Sequence, residues 1–211
     1  MTKPQHKFFE RFLDNNLEEL TKFLSQKAYD LKHGLVPNIS VEDYNKLNGV
    51  APTTNLGPKY NIFQFHYQDL YKLLIEIRSM VKEACDYYSI DFNSQQYMIQ
   101  GWFNFDNYPK PEPLPDRFLH DHLGGSGVPD FHGYYCVAAE PSYTKYKIGG
   151  LENGEYFLNI NKNNRAILSE TGHPHGISHW DQPFERITIA YDVCPLGSVL
   201  NDKEQHWIPL I

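Results

Sequence analysis

The chain has 211 residues, 19 Lys+Arg against 26 Asp+Glu and a formal net charge of -7, enough length for one substantial core and no basic stripe to follow a phosphate backbone. Nucleic acid is therefore disfavoured as a partner, although an enzyme acting on it stays admissible. The opening "MTKPQHKFFERFLDNN" carries charges every few residues and no apolar run of signal-peptide or membrane-span length, so a cytoplasmic protein with no membrane segment is expected.

In chain order, residues 4–28 place Phe9, Phe12, Leu13, Leu17, Leu20 and Leu24 at helical spacing, which predicts a helix. Residues 66–88 repeat the pattern more clearly through Leu70, Leu73, Leu74, Ile77, Val81 and Ala84, a stripe that reads as core packing. The Gly, Pro and Asn between them, "HGLVPNISVEDYNKLNGVAPTTNLGPKYNI", predict mostly loop. Cys85, Cys136 and Cys194 are odd in number and form no CxxC pattern, so they read as small apolar packing residues.

After residue 95 the texture changes to short runs of Tyr, Phe, Ile and Val. Segments 97–105, 117–122, 133–139, 143–148, 155–160, 165–170 and 186–193 are seven predicted strands. Their connections are too short for helices, so the sheet is expected to be mainly antiparallel and to close as a sandwich or jelly-roll barrel. The expectation is an α+β protein, 1–211 forming a single domain. Residues 1–95 are a mainly helical support, and 96–211 form a double-stranded β-helix core.

Six of the ten histidines fall in two windows, 120, 122 and 132, then 173, 175 and 179. On a strand, i and i+2 share a face, so His120 and His122 of "LHDH" can converge while Asp121 turns away. Either alone reads as an ordinary hydrogen-bonded histidine. As a pair, joined by a third about fifty residues on, they read better as a metal site.

The segment "PHGISHWDQPFERITIAYDV" resembles the distal half of the iron(II)- and 2-oxoglutarate-dependent oxygenases, in particular their prolyl-hydroxylase-like branch. The resemblance covers roughly residues 97–193. It implies that His175 binds iron and that Arg186, eleven positions on, grips the far carboxylate of 2-oxoglutarate. It also implies a dioxygenase, expected to be a hydroxylase, whose partners are molecular oxygen and a small-molecule or peptide substrate. The chemistry agrees: iron needs imidazole or carboxylate ligands on one side, and a guanidinium meets a carboxylate with two parallel charge-assisted hydrogen bonds.

The first window departs from the family's His-x-Asp. In one reading His122 replaces the carboxylate, and His120, His122 and His175 bind the metal, as in similar small phage-type oxygenases. In the other, His122 is the proximal ligand and Gly124 marks an open position, as in the 2-oxoglutarate-dependent halogenases with HxG. Tyr135 resembles a tyrosine that helps hold 2-oxoglutarate, although "GYYCV" also reads simply as a strand; Asn104 shares a face with Trp102 and, if that face turns inward, is expected to hydrogen-bond the cosubstrate, a structural asparagine being the equal alternative. His132 reads as the end of a glycine-rich loop with no metal role, and His173 and His179 are also left outside the ligand set.

Two readings from other classes stand beside this one. A metal cupin acting without 2-oxoglutarate would also use HxH, but Gly125, Ser126 and Gly127 occupy the region where it needs a glutamate. A non-catalytic barrel would keep the fold and lose the metal. The loops 107–116 and 124–131 are expected to border the mouth.

Overall fold

Alternation along β8 (Arg186–Pro195) sets the plan of the molecule. Ile187, Ile189, Tyr191 and Val193 turn to one side, into the core beneath the helices, while Ala190, and with it by alternation Arg186, Thr188 and Asp192, turns to the other. The structure is a computed structural model that describes residues 6–37, 39–48, 60–106, 113–116, 119–122, 131–149, 154–199 and 206–210.

On one side of β8 lies β3 (Phe131–Ala138), and on the other β2 (Tyr97–Asp106), both antiparallel to it. The larger sheet adds β6 (Arg165–Glu170), β1 (Phe9–Phe12) and β9 (Ile208–Pro209), giving the order β1-β6-β3-β8-β2-β9. The smaller sheet has the order β5-β4-β7, from β4 (Tyr143–Ile148), β5 (Glu155–Ile160) and β7 (His175–Ile177). His120 extends it past β7 through an isolated antiparallel bridge to His175.

With that bridge included, β2, the His120 segment, β3, β4, β5, β6, β7 and β8 wind between the two sheets as a double-stranded β-helix. The neighbours are β2-β8-β3-β6 on one sheet and His120-β7-β4-β5 on the other. The class is α+β, and the antiparallel arrangement follows from connections too short to carry crossover helices.

Helices cover the outer face of the larger sheet. In α1 (Leu17–Lys32), the Asn16 side chain accepts from Glu19 N at 3.3 Å as the N-cap, and Leu20, Leu24 and Leu31 are buried. In α3 (Gln68–Tyr88), the stripe from Leu70 to Ala84 packs in the same core as Tyr97, Ile99, Phe103, Ile189 and Tyr191. A short α4 (Leu196–Val199) follows β8. No helix among the described residues is long and apolar enough to cross a membrane.

The N-terminal third departs from the sequence expectation twice. Residues 9–12, read as part of a helix over 4–28, are β1, registered Phe9↔Leu168 to Phe12↔Arg165, and the helix begins only at Leu17. Phe9 and Phe12 suit a three-residue helical spacing, but a vacant edge on β6 offers these residues a full backbone ladder. The predicted loop between the helices contains α2 (Val41–Asn48). The predicted strand 117–122 is represented among the described residues by the His120 bridge. β7 and β9, each only two or three residues long, escape a pattern search altogether.

Candidate metal centre

The interior faces of the two sheets bring the chemistry together. By strand alternation, β3 turns His132, Tyr134 and Cys136 inward, β8 turns Arg186, Thr188, Ala190 and Asp192 inward, and β2 turns Trp102 and Asn104 inward. Opposite them, β7 supplies His175 and β4 supplies Tyr146.

His120 and His175 exchange both backbone hydrogen bonds, His120 N to His175 O at 2.9 Å and His175 N to His120 O at 2.7 Å. Their ring centroids are 4.6 Å apart; His122 lies 5.6 Å from His120 and 5.2 Å from His175. One ring nitrogen from each of the three falls within 4.8 Å of the others. The expected trio is therefore assembled in space. Gly124, on which the HxG reading turns, lies outside the described residues, as do Gly125, Ser126 and Gly127. The two expected mouth loops also lie outside them, apart from residues 113–116 and 131.

Sequence reasoning missed His132 and Asp192. His132, read as the end of a loop, lies on β3 directly opposite Asp192 of β8. Its ring stacks on His122 with centroids 3.9 Å apart and lies 4.6 Å from His175. Asp192 is buried, its Oδ1 2.8 Å from His132 Nδ1 and its Oδ2 3.1 Å from His122 Nδ1. The signal was present: Asp192 is six residues from Arg186 in an otherwise apolar strand, hence on the same face.

Electrostatics follow from burial and proximity. Burial alone would raise the Asp192 carboxyl, but His122 and His132 hold it far below the usual carboxylate range. Burial disfavours a charged His122, and the Asp192 carboxylate more than offsets this, holding the imidazole above its ordinary value. Burial, with His122 beside it, pushes His132 down to about 4 despite Asp192. Burial and the three neighbouring histidines hold His175 well below its ordinary value.

The donor set suits a metal ion. His122 uses Nδ1 toward Asp192, and its Nε2 is buried with no hydrogen-bond partner among the described residues. His175 places Nδ1 3.1 Å from the His173 carbonyl, leaving Nε2 for a ligand. Both of these rings have one nitrogen occupied by the protein, the usual arrangement of a metal-binding imidazole. A second group, His6, Glu170 and His173, is also close. There His173 Nδ1 accepts from Gly149 N at 3.3 Å, which puts the ring proton on Nε2 and makes it a poor donor to a metal.

Arg186 is 1% exposed, and its Nε donates to Ser142 Oγ at 3.2 Å. Ser142 Oγ accepts also from Asn161 Nδ2 at 2.8 Å, and Asn161 Oδ1 accepts from Tyr134 at 2.9 Å and Thr144 at 3.3 Å. This buried polar chain places Tyr134 on the interior side of β3. Tyr135, expected at the cosubstrate, lies on the other side, in the core beneath the helices, with its hydroxyl donating to Asn164 Oδ1 at 2.5 Å. The period of two decides this: a strand that turns His132 inward must turn Tyr135 outward. Asn104 lies on the interior side with Trp102, whose indole is 5.9 Å from the His122 ring.

No protein-family pattern matches the chain, and no curated protein matches it. Among solved structures it is similar to a prolyl-4-hydroxylase of Pseudomonas putida, at 9% identity and a TM-score of 0.45, over 89% of this chain and 86% of that one. It is also similar to a 2OG-Fe(II) oxygenase family oxidoreductase of Burkholderia pseudomallei, at 11% and 0.45, over 87% and 92%. A third is a full-length Neurospora crassa protein in complex with alpha-KG and thymine, at 11% and 0.47, over 96% and 83%. The strand winding, independent of these likenesses, defines the double-stranded β-helix.

Proposed function

We propose that the protein is an iron(II)- and 2-oxoglutarate-dependent oxygenase, acting as a hydroxylase on a small molecule or a peptide. The observation that carries this reading is the convergence of three imidazoles, buried His175, half-buried His122 and exposed His120, on the barrel face to which the buried Arg186 also turns.

His120, His122 and His175 would hold the metal through three neutral nitrogens. Arg186, preset by Ser142, would receive the far carboxylate of 2-oxoglutarate, with Asn104 as a further polar contact. Tyr134 replaces Tyr135 as the tyrosine available on this side of β3. Bound iron with 2-oxoglutarate and molecular oxygen supplies the oxidising power for a C–H bond. The chain's own work is to orient these groups and to exclude water with Trp102, Tyr134 and Tyr146, all buried.

Proline-containing peptides and free nucleobases are the first substrates to try. The test is anaerobic addition of iron(II) and 2-oxoglutarate to metal-free protein. A charge-transfer absorption band, followed by succinate on admission of oxygen, is expected. Absence of both the band and succinate would overturn the proposal.

A further inference from the structure

His-x-Asp sites give iron one anionic ligand; His120-Asp121-His122 gives it none. The interior nevertheless contains a buried carboxylate beside the site. Asp192 touches two imidazoles through separate oxygens, and no Lys or Arg pairs with it among the described residues. A buried carboxylate without a cation is costly unless its oxygens accept strong hydrogen bonds.

We propose that Asp192 is a positioning residue that returns the missing anionic charge to the metal centre one bond further out, by clamping His122 and His132 together. This inference rests on the metal-binding reading above. An ionised carboxylate can only accept, so both imidazoles must carry their proton on Nδ1. For His122 this leaves the lone pair on Nε2, the buried atom with no partner among the described residues. The second contact, to His132, prevents the carboxylate from turning. The stacking of His132 on His122, 3.9 Å apart and 24° from parallel, fixes the plane of the ligand ring. Hydrogen bonding from a carboxylate makes a metal-binding imidazole more basic, and such outer partners govern affinity and ring orientation.

The clamp makes a specific claim about Asp192→Asn. The amide has nearly the shape of the acid but offers one acceptor and one donor. One of the two rings must then accept on Nδ1 and carry its proton on Nε2. If that ring is His122, its ligand atom is blocked; if it is His132, His122 keeps its geometry and loses the charge.

Two measurements test this. Nitrogen-15 NMR of the metal-free wild type should show both His122 and His132 as Nδ1–H tautomers, and the Asp192→Asn protein should show one converted to Nε2–H. Cobalt(II), titrated against a competing chelator, should bind ten- to a hundred-fold more weakly to Asp192→Asn. An Nε2–H tautomer for either ring in the wild type would overturn the clamp whether or not the variant folds. Equal cobalt affinity in the two proteins would overturn it while leaving the metal site standing. A second cobalt equivalent lost in the variant would also overturn it, making Asp192 a ligand. A wild type with the expected tautomers that binds no cobalt would refute the metal reading and with it the charge-returning role, leaving only the hydrogen bonds of Asp192 to the two rings.

Discussion

His120 and His175 are joined by a two-hydrogen-bond backbone bridge, so the first and last members of the proposed ligand set are held together by the main chain rather than by their side chains. Truncating either imidazole therefore leaves the bridge intact and tests the ring itself. His175→Ala and His120→Ala are each expected to lower iron(II) or cobalt(II) affinity by about 100-fold or more, exceeding the loss typical of an outer partner. In the metal-free proteins the melting temperature of His120→Ala, an exposed position, should stay close to the wild type, and that of His175→Ala should fall through loss of buried ring contacts. Metal content after desalting checks this, and iron retained by His120→Ala, with a saturable chloride-dependent spectral change, would favour the open-site halogenase reading.

Arg186 carries a charge into the barrel at 1% exposure, where a carboxylate ligand would match it. Arg186→Ala is expected to weaken 2-oxoglutarate binding at least about ten-fold, from the ~1.5–3 kcal/mol of a charged hydrogen bond. Metal affinity should be unchanged. Arg186→Lys should restore part of the binding, because one ammonium cannot reproduce a planar fork. Titration of the charge-transfer band gives the affinity; an unchanged value in Arg186→Ala would assign the carboxylate to another residue.

Legibility in the sequence followed the length and alternation of each element. The strands from β2 to β6, and β8, were readable as short runs of Tyr, Phe, Ile and Val bounded by turn residues, and α3 because its stripe recurs every three or four. β1 was not, since the three-residue spacing of Phe9 and Phe12 suits a helix and puts them on opposite faces of a strand, Phe9 buried and Phe12 exposed, and the choice is made by an edge more than 150 residues away at Arg165–Leu168. The same distance effect divided the site. His120, His122 and His175 stand in short motifs, whereas the His132–Asp192 contact joins residues sixty positions apart. Only the face alternation of β3 and β8 signals it, and the same alternation separates Tyr134 from Tyr135.

Gly133 marks a close crossing in the larger sheet. A Cβ there would come within 2.2 Å of the Ile167 carbonyl oxygen and 2.3 Å of the Tyr191 ring, while a Cβ on Gly197 would meet nothing within 4 Å. Gly133→Ala should therefore destabilise the fold by about 1–3 kcal/mol through overpacking. Gly197→Ala, within α4, should be neutral or slightly stabilising. Urea unfolding of the three proteins checks both; a Gly133→Ala midpoint equal to the wild type would mean that Tyr191 moves freely, contrary to its hydroxyl's 2.8 Å hydrogen bond to Ile167.

The three cysteines supply a probe that needs neither metal nor substrate. Cys85, Cys136 and Cys194 are thiols without a disulfide, and each is 0% exposed. Burial pushes the Cys136 thiol up to about 11, so at pH 8 only about one molecule in 10³ carries the reactive thiolate there, and access limits reaction further. The native protein should therefore release essentially no chromophore from Ellman's reagent at pH 8 over minutes, and unfolding in guanidinium should release three equivalents. Raising the pH to 9 multiplies the Cys136 thiolate about ten-fold. The native rate should rise much less than that, because opening of the core rather than ionisation is the slow step. One equivalent released promptly from folded protein, with a rate that follows pH, would place a cysteine at the surface and contradict the packing of α3, β3 or β8.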